Sequence, residues 1–222
     1  MVLDSFIRRV LTRFYQPVLR RYLQKGRHYR YKELRLFIPN SVFHPAFFGS
    51  SKTLVAFLEQ QSLSGKTLLE IGCGSGMVAL SAARLGAQVS AVDISGAAIA
   101  ATKNNAQLNQ LDISVWASDV FENIPLQPFD LVICNPPYYS KQPRSEAEYA
   151  WYTGENYAFF HRFFEQLKPF SNLGAKTYLV LGASCDMSAV GAITRNHEYN
   201  LSPVFQQHRV FELFTIYELK NT

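Results

Sequence analysis

From about residue 66 onward, short apolar runs alternate with amphipathic stretches of helical period, the arrangement that predicts strands and helices taking turns in an α/β sheet. The runs at 67–71, 88–93, 113–117, 131–134 and 176–181 are nearly continuous in apolar residues. Strands of that kind are buried on both faces, which points to a parallel sheet covered by helices on each side. Helices are predicted at 77–85, closed by Gly86, at 96–108 with Ser95 as N-cap, and at 156–167, stopped before Pro169. The tail departs from this rhythm. Its apolar runs at 201–206 and 211–219 lie close together with no helical pattern between them, so an antiparallel pair is expected to close the sheet edge.

The first 44 residues carry a different pattern, expected to form a basic helical extension ahead of a domain spanning 45–222. On a helical wheel Leu3, Ile7, Val10, Leu11, Phe14, Val18 and Tyr22 share one face while Arg9, Arg13 and Arg20 point away, with Pro17 as a break. Charge sharpens the division. Residues 1–35 hold ten Lys or Arg against Asp4 and Glu33, whereas the remainder is slightly acidic. Such asymmetry suggests an anionic partner at one end, RNA or a membrane surface, or a helix packed on the domain with its arginines in solvent.

Composition excludes several classes. At 222 residues with 48 % apolar content the chain can bury a full core. It contains no apolar run long enough to cross a bilayer, so no integral membrane association is expected. Cys73, Cys134 and Cys185 lie far apart with no metal-ligand spacing, which argues for no disulfide framework, no metal and a reducing, cytoplasmic location.

The chemistry gathers at strand ends. TLLEIGCGSGM places Glu70, Gly72, Gly74 and Gly76 at alternate positions directly after a strand and before a helix, where glycines permit positive φ and close approach of a ligand. The third glycine comes one residue too early for a dinucleotide fingerprint, and no Gly-Lys-Ser/Thr ending marks a P-loop. The next strand ends at Asp93, placed to accept ribose hydroxyls; the third ends at Ser118, Asp119, Val120 and Phe121, where a carboxylate beside an apolar side chain suits an adenine. The fourth runs through FDLVIC into Asn135-Pro136-Pro137-Tyr138. Consecutive prolines end a strand and stiffen the segment after it, so a rigid backbone is wanted there.

Through LLEIGCGSG, VDIS, SDVF and NPPY, in this order and at strand spacing, residues 45–220 resemble the class I S-adenosylmethionine-dependent methyltransferases. The resemblance implies a Rossmann-like, doubly wound, mostly parallel seven-stranded sheet with an antiparallel C-terminal hairpin, and S-adenosyl-L-methionine as cofactor. By position, Gly72, Gly74 and Gly76 would line the methionine part, Glu70 would steady the loop or the cofactor amine, Asp93 with Ile94 would hold the ribose, and Asp119 with Val120 the adenine. NPPY resembles the motif of enzymes that methylate a nitrogen attached to a planar system. Asn135 and the Pro136 carbonyl would accept its two N–H bonds, Pro137 would fix them, and Tyr138 would stack on the flat group.

Two acceptors are implied. AWYTGENYAFFHRFF looks like the corresponding stretch of the release-factor glutamine methyltransferases, which implies a protein glutamine; the basic leader favours an adenine or guanine amine of ribosomal or transfer RNA. A non-catalytic nucleotide-binding module is a third reading and a dehydrogenase a fourth. Phe159, Phe160, Phe163 and Phe164 are expected in the core, His161 as a core or rim residue, and His44 as a candidate pocket wall.

Overall fold

A computed structural model describes residues 25–47, 49–209 and 212–222. Fourteen main elements can be followed: β1 (Arg27–Tyr31), β2 (Leu34–Ile38), α1 (Gly49–Leu58), β3 (Thr67–Ile71), α2 (Met77–Arg84), β4 (Gln88–Asp93), α3 (Gly96–Leu108), β5 (Ser114–Ala117), β6 (Phe129–Cys134), α4 (Ala158–Leu167), β7 (Ser171–Gly182), α5 (Met187–Asn196), β8 (Tyr199–Arg209) and β9 (Glu212–Asn221). Seven strands form one sheet in the order β5-β4-β3-β6-β7-β9-β8. The pairs from β5 to β7 are parallel, and β9 runs antiparallel to both β7 and β8, as the tail pattern predicts.

Alternation along the strands builds the two cores. Leu68, Ile133 and Val180 point to the face covered by α1, α2 and α3, while their neighbours Leu69, Val132 and Leu179 meet the phenylalanines of α4 and Val190 of α5 on the other. The chain steps outward from β3 to β4 and β5, then returns to β6 on the opposite side. A crevice therefore opens between the carboxyl ends of β3 and β6, the place where open α/β sheets bind ligands.

The leader differs from expectation. Residues 1–24, with the amphipathic face from Leu3 to Tyr22, lie outside the described residues. The described part of the expected helical extension is instead an antiparallel hairpin, β1 with β2. The reason is a period of two: Leu34, Leu36 and Ile38 are buried while Arg35 and Phe37 face out. Lys32, at φ 52, makes the turn. Helices α1 and α5 also lie outside the predicted elements; α5 begins at Asp186, whose Oδ1 accepts from the Ser188 and Ala189 N–H groups. Among the described residues no helix is long and apolar enough to cross a membrane, and no cluster of three His, Cys, Asp or Glu side chains could hold a metal ion.

Candidate active site

The glycine loop hangs from its neighbouring strand. Gly72 and Cys73 N–H both donate to the Val92 carbonyl, at 2.8 and 2.9 Å, and Gly74 N–H donates to Asp93 Oδ2 at 2.9 Å. Gly72, Gly74 and Gly76 all have positive φ, as that tight path requires. A methyl group added at Gly72 would meet nothing within 4 Å, so the backbone there faces open space. At Gly76 it would come within 3.0 Å of Thr102 Cγ2: this glycine lets α3 pack against the loop.

Two carboxylates flank the loop. Glu70 is buried, and its Oε2 accepts from Ala79 N–H in the first turn of α2 at 2.7 Å. Burial pushes its carboxyl well above the usual range, with the nearby Asp93 charge adding to the rise and the Ala79 bond opposing it. Asp93 is raised by burial as well, against the bonds its two oxygens accept from Ser95 and Gly74 N–H. Both groups are costly to ionise where burial strips them of water and would gain from a cationic or hydroxylated ligand.

The loop after β5 is held in strain. Val120 is buried at φ 53, a region β-branched residues rarely visit, which costs about 1–3 kcal/mol. Phe121 N–H, donating to Gln166 Oε1 of α4, helps impose it. Beside it Asp119 Oδ2 stands 3.4 Å from Arg162 Nε.

These groups line a cavity of about 360 Å³, which also takes in Ile94, Asn135 and Pro137. Every predicted cofactor residue except Gly76 reaches it. A second cavity of about 250 Å³ lies across the NPPY segment, lined by Asn135, Pro136, Pro137 and Tyr138 together with aromatic side chains, Arg209 and Glu212. Asn135 and Pro137, with Phe43 and Ala150, thus line both cavities. Neither the Asn135 amide nor the Pro136 carbonyl accepts a hydrogen bond from any described residue. Burial and the Glu212 charge raise the Tyr138 phenol, and its oxygen would stand 3.1 Å from a methyl added at Gly182, so the glycine makes room for it.

A strap from Tyr139 to Gly154 covers the cleft, pinned at its ends by bridges from Tyr139 to Tyr152 and Lys141 to Gly154. It brings Trp151, from the AWYTGENYAFFHRFF stretch, to the second cavity and Glu146 to the first, a residue that no motif singles out because the segment lacks a hydrophobic period. Expectations for His44 and Phe159 are corrected. His44 lines neither cavity; it is buried against Tyr29 and Phe47, and its Nδ1 accepts from Ala46 N–H. Phe159 is not wholly core but reaches the first cavity, whereas Phe160, Phe163 and Phe164 are buried. His161 packs on His197, away from the cleft.

The methyltransferase small domain model matches residues 39–152, just over half of the chain. This chain belongs to that family. Among its relatives, a putative protein N5-glutamine methyltransferase of Methanocaldococcus jannaschii is 36 % identical over 107 residues, 47 % of this chain and 52 % of that protein. A ribosomal protein L11 methyltransferase of Campylobacter lari is 36 % identical over 98 residues, 44 % of this chain and 34 % of that protein. The chain therefore matches about half the length, or less, of these relatives. Among solved structures, a 16S rRNA N2 methyltransferase of T. thermophilus, in complex with AdoMet and guanosine, superposes with a TM-score of 0.63 at 19 % identity, covering 89 % of this chain and 50 % of that one. The chain thus shares the fold of that structure.

Proposed function

We propose that the protein is an S-adenosyl-L-methionine-dependent N-methyltransferase acting on an amino nitrogen conjugated to a planar group. The observation that carries this is where the two cavities meet: two acceptors that no described residue engages, on Asn135, which lines both, and on Pro136, which lines the second, stand beside a first cavity lined by carboxylates and a bare glycine backbone and a second, aromatic one.

The first cavity fits the cofactor. Glu70 suits its ammonium group, Asp93 its ribose hydroxyls, and Asp119 with Val120 the adenine; the open space at Gly72 gives the chain room to lie against the loop. When bound, S-adenosylmethionine supplies an electrophilic methyl group on a good leaving group, so no metal or strong base is required. The chain's own part is to position. Asn135 Oδ1 and the Pro136 carbonyl accept the two N–H bonds of the acceptor, which turns its lone pair toward the first cavity. Proline keeps both oxygens in place before the reaction. The strap excludes water from both sides.

Two acceptors carry such a nitrogen. A protein glutamine amide is supported by the likeness to the Methanocaldococcus relative, and an exocyclic amine of an RNA base by the basic leader. The same reading places the protein in the cytoplasm, in keeping with three buried free cysteines. The direct test is to incubate the protein with labelled S-adenosylmethionine and cell extract, then treat separately with RNase and protease. Label removed by either identifies the acceptor class; no label in any macromolecule, with normal cofactor binding, would overturn the catalytic reading.

A further inference from the structure

The second cavity contains an arrangement that the methyl-transfer reading does not use. Arg209 and Glu212 face each other as register partners across β8 and β9, and both line the cavity beside Asn135 and Pro136. Opposite charges so placed on neighbouring strands ordinarily pair, yet no ion pair joins these two. Arg209 Nε is buried without a hydrogen-bond partner. A buried N–H left without an acceptor is expensive unless a ligand completes it. The close packing of its stem against Gly49, where even a methyl group would come within 2.4 Å of Arg209 Cβ, holds it there. Glu212 is fixed too: its Oε1 accepts from Ser184 N–H at 3.1 Å and Ser184 Oγ–H at 2.6 Å, and no hydrogen bond from a described residue reaches Oε2. The cavity therefore offers, beside the two acceptors at Asn135 and Pro136, one further acceptor and one donor, set among aromatic rings that include Phe43, Trp151 and Phe214.

We propose that the acceptor is a guanine base of RNA, with Glu212 and Arg209 as the residues that choose it. This rests on the N-methyltransferase reading. Along its Watson–Crick edge guanine presents the 2-amino group, then N1–H, then O6: donors, a donor and an acceptor. Asn135 and Pro136 take the amino group, Glu212 takes N1–H, and Arg209 donates to O6. The alternatives leave something unmet. Adenine turns the N1 lone pair beside its amino group toward Glu212, and cytosine does the same with N3. A glutamine amide spends both N–H bonds on Asn135 and Pro136 and has no further donor for Glu212. Aromatic walls suit a flat base splayed out of an RNA strand, which stacks on such rings while its edge is read. In the reaction the N2 lone pair forms the new N–C bond as the methyl–sulfur bond breaks with its electron pair on sulfur. The surplus proton on nitrogen passes to water, giving N2-methylguanine and S-adenosylhomocysteine.

Inosine, which is guanosine without the 2-amino group, separates recognition from transfer. The full chain, saturated with S-adenosylhomocysteine, is titrated with guanosine, inosine, adenosine and N-acetylglutamine amide, following Trp151 fluorescence and calorimetry. Guanosine and inosine should bind at least about fivefold tighter than adenosine, as the hydrogen bonds at one base edge provide. Glu212→Gln and Arg209→Gln should abolish that preference while S-adenosylhomocysteine affinity is retained, which shows the variants are folded. Equal binding of adenosine, saturation by the glutamine amide alone, or no nucleoside binding at millimolar concentration would overturn the proposal. Failure of the wild-type chain to bind S-adenosylhomocysteine would instead sink the underlying methyltransferase reading.

Discussion

Glu146 is hydrogen-bonded across the cleft to Ser95: Ser95 Oγ–H donates to Glu146 Oε1 at 2.7 Å, and the same oxygen accepts from Ala97 N–H at 3.2 Å. Ser95 is the N-cap of α3, accepting from Ala98 N–H, and immediately follows Asp93 and Ile94. The strap is thus tied to the helix that begins beside the proposed ribose site.

Replacing Glu146 with Ala should loosen that tie. Tryptic cleavage at Lys141 and Arg144 should rise about two- to fivefold, as expected for a solvent-screened surface interaction. The Ser95 bond, with the Ala97 N–H, holds the Glu146 carboxyl below its usual range. A depressed carboxylate contributes fully above its unfolded value and loses that contribution as pH falls through the lower folded one. Wild-type strap opening, read by Trp151 fluorescence, should therefore increase in the acid range below the ordinary carboxylate pKa, and the Glu146→Ala variant should not share the change.

Glu70→Gln should raise stability while weakening the site. The folded carboxyl is raised by burial, so the folded state binds the extra proton and loses stability as pH climbs from the unfolded value toward the folded one. A neutral amide keeps an acceptor for Ala79 N–H without that penalty. An increase of roughly 2–4 °C in melting temperature at pH 7, for about 1 kcal/mol in a domain of this size, is expected. The gain should vanish near pH 4, measured by calorimetry, and S-adenosylhomocysteine affinity should fall.

Asn135→Ala removes the one of the two acceptors that lines both cavities. Loss of a preorganised hydrogen-bonding group in an active site costs about 10²–10³ in turnover. Transfer to the acceptor should drop by that factor with S-adenosylhomocysteine affinity unchanged, as read by calorimetry alongside a labelled-methyl assay.

Asn105→Ala tests whether the β1–β2 hairpin is part of the catalytic unit. The Asn105 amide joins three places: Oδ1 accepts from Phe37 N–H at 2.7 Å, and Nδ2 donates to the carbonyls of Phe37 and Ser75 at 3.0 and 2.9 Å. Leaving such buried partners unsatisfied costs about 1–3 kcal/mol. Urea unfolding should show a single transition shifted by that amount. A separate early transition for the hairpin would refute its integration.

Sequence pattern reveals the sheet and most of one cavity because both rest on short-range rules. Continuous apolar runs mark buried strands, and glycines or carboxylates at strand ends mark the crevice. The hairpin is hidden because the dense positive charge of the leader masks the alternation of Leu34, Leu36 and Ile38. Arg162, Glu146, Arg209 and Glu212 are illegible for another reason. They sit far along the chain from the motifs they serve, and only the packing of α4, the strap and the last two strands against the cleft brings them there.

The strap touches both cavities, and so one segment governs two kinds of traffic. Spent donor cannot be exchanged by lifting this cover without also loosening the grip on whatever has just been modified. On the methyltransferase reading such a plan would make the protein distributive: each encounter would end after one transfer, and a target with several sites would be met afresh for every mark.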